Sequence, residues 1–196
     1  MMRVAVGILP EVRQLLREDP AQLSELLEEI HDEDLADLVE LLDDPDAAQL
    51  LTSLRVEEAA PIFERLDEDK QEDLIEELGF EKAAPIVGEM SADDRTDLIE
   101  GLPEEVGEKL LESLERHDPE AAAEVEELAQ WAEDSAGGLM TTDYVSVDPD
   151  LTVSGIIEKI RTEGTEAETV YYVYVINEKE RLLGVCSLRD LSLIHI

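Results

Sequence analysis

The chain is 196 residues long, with 15 basic and 52 acidic side chains and a formal charge of −37. That length suits one large domain or two small ones. An apolar content of 43% is enough to bury a core, which argues against wholesale disorder. So strong a polyanion repels a phosphate backbone instead of releasing its counterions, which excludes nucleic acid and leaves cations or basic partners. One cysteine, Cys186, excludes an internal disulfide framework and fits a reducing compartment.

At the N-terminus an apolar stretch stops at Pro10 and Glu11 with no small-residue cleavage site, so no signal peptide is expected. The longest uninterrupted apolar run is seven residues, 170–176, against the ~20 of a membrane helix. The expectation is a soluble, intracellular chain. Asp-Pro pairs at 19–20, 44–45 and 118–119 place an N-cap acceptor before a proline suited to a first helical turn. Between them runs a repeat. Glu58-Ala59-Ala60-Pro61-Ile62-Phe63 returns 24 residues later as Lys82-Ala83-Ala84-Pro85-Ile86-Val87. The same offset joins Leu38, Val39 and Leu42 to Ile62, Phe63 and Leu66, and Leu74, Ile75 and Leu78 to Leu98, Ile99 and Leu102. Each unit reads as two short helices with apolar residues at i, i+1 and i+4, which can bury those stripes only by stacking. Ser91 to Asp94 has the form of a capping box.

A longer helix is expected over 119–133, and then the composition changes. Residues 1–140 hold 10 basic and 42 acidic side chains, and residues 141–196 hold 5 and 10. The predicted elements that follow are a strand over 144–147, a helix over 151–161, strands over 169–176 and 182–187 around a turn at 177–180, and a helix opening at Leu188. The fold class is therefore mainly α: a right-handed superhelical solenoid of short helix pairs over 1–134, followed by a small truncated α+β unit over 135–196. One short closing helix cannot cover a three-stranded sheet, and the final Ser192-to-Ile196 stretch carries no capping or turn signal. A fragment is expected, with residues 192–196 marked as candidates for a foreign tail.

No catalytic constellation emerges, so no enzyme is expected. His31, His117 and His195 are far apart, and there is no phosphate loop, zinc motif or EF-hand loop. Cys186 reads as a small core residue. Two carboxylate patterns remain. On the helix opening at Ser91, Asp93 and Asp97 are four apart and Asp94 and Asp97 three apart, a repulsion that a hard divalent cation would reverse. The plain alternative is a solvated acidic face favouring the helix dipole. Tyr171 and Tyr172, with Arg189 and Asp190 at a strand-to-helix junction, have the chemistry of a nucleotide site; tyrosines packed on a sheet are the plain alternative.

The run Glu133-Asp134-Ser135-Ala136-Gly137-Gly138-Leu139-Met140-Thr141-Thr142-Asp143-Tyr144-Val145 resembles the junction of MgtE-type magnesium channels between their N-terminal helical domain and first CBS motif. Residues 30–38 resemble that family's early helical segment, and 171–176 and 184–191 the strands and helix start of its first CBS motif. The resemblance implies a cytosolic Mg²⁺-sensing region, in which bound Mg²⁺ bridges acidic helical-domain and CBS surfaces and holds a dimeric transmembrane channel closed. It implies Mg²⁺ at Asp93, Asp97 and Asp94, and ATP at Tyr172, Arg189 and Asp190. An interface glutamate of the family falls on Pro61, with Glu58 or Glu64 as substitutes. It also implies as partners a second CBS motif, the pore and, as a homodimer, a second copy of the parent. The competing readings are an acidic solenoid that binds a basic protein partner and a CBS-type adenine-nucleotide sensor.

Overall fold

The structure, a computed structural model, describes residues 3–18, 20–27, 30–131, 135–137, 140, 144–164, 169–179 and 181–194. Two compact units divide the chain, residues 1–138 and 139–196. The first is helical: α1 (Arg3–Glu18), α2 (Pro20–Leu27), α3 (Asp32–Leu41), α4 (Asp44–Ser53), α5 (Val56–Phe63), α6 (Glu68–Leu78), α7 (Phe80–Gly88), α8 (Ala92–Gly101), α9 (Glu104–His117) and α10 (Pro119–Leu128). Helix starts repeat with the sequence period. α3, α5, α7 and α9 begin at 32, 56, 80 and 104, and α4, α6 and α8 at 44, 68 and 92.

Each helix packs on the helix two along: α3 on α5, α5 on α7 and α7 on α9, with α4 on α6, α6 on α8 and α8 on α10 beside them. The apolar rows foreseen from the repeat are the buried ones. Leu38 and Val39, Ile62 and Phe63, Ile86 and Val87, and Leu110 and Leu114 lie in one core that runs from Ala5 to Val125. Gly107 lets α9 approach α8, since a Cβ there would stand 2.8 Å from the Ile99 carbonyl oxygen. Gly79 ends α6 at φ +74°, a backbone region that costs any residue with a Cβ.

The repeat also recurs in polar contacts. The Asp67 N–H donates to Glu40 Oε1 (2.9 Å), and 24 residues on the Ser91 N–H donates to Glu64 Oε1 (2.7 Å). A carboxylate closing one helix thus satisfies an amide that opens a helix of the next repeat, where the helix itself offers no acceptor.

Three local expectations are corrected. The cap before Pro45 is Asp43, whose Oδ1 accepts from the Asp46 N–H at 3.1 Å; Asp44 already belongs to α4. Ser91 makes no side-chain bond to the backbone; its Oγ donates to Asp94 Oδ2 (2.9 Å), and the backbone cap comes from Glu64 instead. The helix expected over 119–133 ends at Leu128, where the Trp131 N–H turns back to the Leu128 carbonyl at 2.9 Å. Trp131 lies over Gly137, where a Cβ would meet the ring at 2.5 Å. Asp118 caps α10 as expected, accepting from the Glu120 and Ala121 N–H groups. Asp19, residues 132–134, Glu180 and His195 lie outside the described residues.

The second unit holds β1 (Tyr144–Val147), α11 (Val153–Glu163), β2 (Thr169–Ile176), β3 (Leu182–Ser187) and α12 (Leu188–Ile194). The sheet order is β1-β2-β3, with β1 parallel to β2 across α11 and β2 antiparallel to β3. Thr152, whose Oγ1 accepts from the Gly155 N–H, starts α11 two residues later than the periodicity suggested. Side chains alternate across the sheet. One face buries Val145, Val147 and Val173 against Ile156 and Leu191, with Cys186 half-buried at its edge. Tyr172 and Val185, on the other face, stay exposed, and Tyr144 meets Tyr174 edge to face with centroids 5.4 Å apart.

Candidate functional site

α8 begins where α5 ends one repeat earlier, and their junction with α6 encloses a cavity of about 340 Å³. Its lining includes Glu64, Glu68, Asp69, Glu72, Asp94 and Asp97, and no basic side chain among the described residues. Two of the three expected metal residues, Asp94 and Asp97, therefore share one groove. Asp93 is not on that lining. It is half-buried, and its Oδ1 has no hydrogen-bond partner among the described residues.

Glu64 was only one of two candidates from sequence, and the structure separates them. Glu58 is taken up by Arg55, whose hydrogen bonds hold its carboxyl below the ordinary value. Glu64 lies in the groove. Burial pushes its carboxyl up, Asp94 and Asp93 push the same way, and the Ser91 N–H hydrogen bond opposes them. Folded Glu64 thus binds a proton more readily than unfolded Glu64, so its ionisation works against the fold above the raised folded value, and that cost fades as pH falls through it. Glu64→Gln keeps an acceptor for Ser91 and removes the charge. We expect a gain of about 0.5 kcal/mol near pH 7, kept small by solvent screening of a half-exposed group. Thermal unfolding should show the gain vanish near pH 4. A loss at neutral pH instead would mean that the carboxylate is worth more to the α8 dipole than its burial costs.

Glu68, Asp69 and Glu72 were missed from sequence. Their only signal was position in the repeat, two helices before Asp94. Mg²⁺ accepts one or two carboxylates while keeping several waters. The groove fits that demand: its charged donors are all hard oxygens. Among the described residues no three carboxylates, imidazoles or thiols come together as a group that could hold a metal ion by themselves.

In the second unit, Tyr172, Arg189 and Asp190, together with Tyr171, Ser187, Leu188 and Ser192, line an open concavity of about 1180 Å³. β2 supplies the tyrosines, and the β3–α12 junction supplies the rest. Ser187 Oγ donates to Asp190 Oδ2 (2.6 Å) and accepts from the Asp190 N–H (3.1 Å), which fixes the junction. All three nucleotide-site residues named from sequence are therefore brought together. No helix among the described residues is long and apolar enough to cross a membrane.

The family model of the MgtE intracellular N domain matches residues 30–134, and that of the CBS domain matches residues 136–194. The magnesium transporter MgtE of Thermus thermophilus is 54% identical over 74 residues, 38% of this chain and 16% of that protein. The one from Enterococcus faecalis is 42% identical over 72 residues, 37% and 16% respectively. The chain thus aligns with about a sixth of the length of these relatives. Among solved structures, the soluble part of a magnesium transporter superposes with a TM-score of 0.88 at 30% identity, over 96% of this chain and 74% of that one. The cytosolic domain of the Mg²⁺ channel MgtE in complex with ATP gives 0.82 at 37% identity, over 96% and 75%. These relatives are transporters or parts of them. With more than half of its length matched by the N-domain model and the CBS model following directly, the chain belongs to the MgtE intracellular N domain family.

Proposed function

We propose that the chain is the cytosolic regulatory region of a magnesium channel or transporter, with an acidic helical domain over 1–134 and a first CBS motif from 135. In this reading Mg²⁺ bridges the acidic helical surface at Asp93, Asp94 and Asp97 to carboxylates of the CBS region and holds the pore of the parent closed. When Mg²⁺ falls, like charges repel and the docked state loses population. In this reading its partners are a second CBS motif, the transmembrane pore and a second subunit. The observation that carries the reading is the groove between α6 and α8, lined by six carboxylates and by no basic side chain among the described residues, on a chain of the MgtE N-domain family.

Small-angle scattering during a Mg²⁺ titration, with Na⁺ at matched ionic strength, tests it. Compaction specific to Mg²⁺ is expected, and Asp93→Asn/Asp97→Asn is expected to remove it. Equal responses to both salts would mean plain screening and would favour the acidic solenoid as a platform for a basic protein.

A second activity has its own support. The concavity beside Tyr172, Arg189 and Asp190 offers an aromatic face, a guanidinium and a carboxylate, a set suited to base, phosphate and ribose, and a solved relative carries ATP. In this reading the CBS unit takes ATP there.

A further inference from the structure

The 24-residue repeat sets two grooves of the same molecule side by side. In the earlier one, between α4 and α6, the ammonium of Lys70 donates to the Leu42 carbonyl (2.9 Å) and to Asp44 Oδ1 (2.8 Å). It is held well out of solvent, with 11% of its side chain exposed. One repeat on, the same positions are Leu66 for Leu42, Glu68 for Asp44 and Asp94 for Lys70. All three line the cavity between α6 and α8. The acceptors are retained and the cation is exchanged for an anion. At this one position a charge of +1 gives way to −1, a difference of two that one divalent cation makes good.

We propose that Lys70 decides which of the two grooves answers to dissolved cations. Its ammonium is a tethered counter-ion that makes α4–α6 packing independent of them, and the α6–α8 groove takes a hydrated divalent ion where the ammonium is missing. This rests on the Mg²⁺ reading above and adds the residue that confines it to the later of the two grooves. Lys70 acts as a positioning residue: it holds Leu42 and Asp44 and touches no ligand.

Amide hydrogen exchange of the whole chain, in Mg²⁺ against Na⁺ at matched ionic strength, separates the outcomes through peptides from α4 and α8. In the wild type, Mg²⁺ should protect α8 and leave α4 unchanged. In Lys70→Met, α4 should gain Mg²⁺-specific protection of about tenfold when the ion is at about ten times its dissociation constant. In Asp94→Lys, which installs the ammonium in the later groove, α8 should be protected without Mg²⁺. Failure of α4 to gain a Mg²⁺ response in Lys70→Met would overturn the role of Lys70 while leaving the Mg²⁺ reading of α8 intact. Indifference of wild-type α8 alongside a gain in α4 would do the reverse. Should Lys70→Met not fold in either salt, Asp94→Lys decides: continued dependence of α8 on Mg²⁺ overturns the proposal.

Discussion

Phe63→Ala is expected to destabilise the helical unit by about 3–5 kcal/mol. Phe63 is 1% exposed and sits mid-core between the repeats. Truncation removes the transfer free energy of the ring and leaves a cavity in a region packed on all sides by α3 and α7. Whole domains are stable by only ~5–15 kcal/mol, so the change takes a large share. The effect reaches the site as well. The Phe63 carbonyl accepts from buried Gln71 Nε2 (2.9 Å), and the next residue is Glu64, the cap of α8. Urea unfolding should show a lower midpoint at unchanged slope, and Phe63→Leu should cost less than about 1.5 kcal/mol. A cost that small for alanine would mean that the neighbouring helices collapse onto the gap.

Arg95→Met is expected to cost about 2–3 kcal/mol, below the ~3–5 of a fully buried broken pair because Glu124 is partly open to water. Arg95 lies 3% exposed on α8, next in sequence to Asp93 and Asp94. Its two terminal nitrogens bridge Glu124 Oε2 on α10 (3.1 Å) and the Met90 carbonyl (2.9 Å). Methionine keeps the bulk and leaves both acceptors without their donor. Differential scanning calorimetry of Arg95→Met against Glu124→Gln separates the two contacts. A smaller loss in Glu124→Gln is expected, since that change keeps the bond to Met90. Equal losses would assign the whole effect to the α8–α10 pair.

Much of the architecture was legible in advance because hydrophobic period is local information. The i, i+1, i+4 stripes of Leu38, Ile62 and Ile86 marked the helices, and the Val- and Tyr-rich runs marked strands at 144–147, 169–176 and 182–187 with the bounds found in the structure. The extent of α10 was not legible. Apolar spacing continues past Leu128, but the chain there turns back so that Trp131 rests on Gly137, a contact that spacing cannot register. Capping was read one residue late at Asp44, because Asp43 and Asp44 are equally good acceptors and only the backbone path chooses between them.

By itself, the sequence determined the period of 24, the change of chemistry near residue 135, the family and which carboxylates to suspect. Only the tertiary structure decided which of those carboxylates meet. Glu64 reaches Ser91, Lys70 reaches Asp44, and Asp94 shares a groove with Glu68, each across 26–27 residues of chain. The physical reason is range. Burial stripes and turns follow from neighbours three or four residues apart, whereas a counter-charge or a cap from the previous repeat exists only once α4, α6 and α8 are stacked.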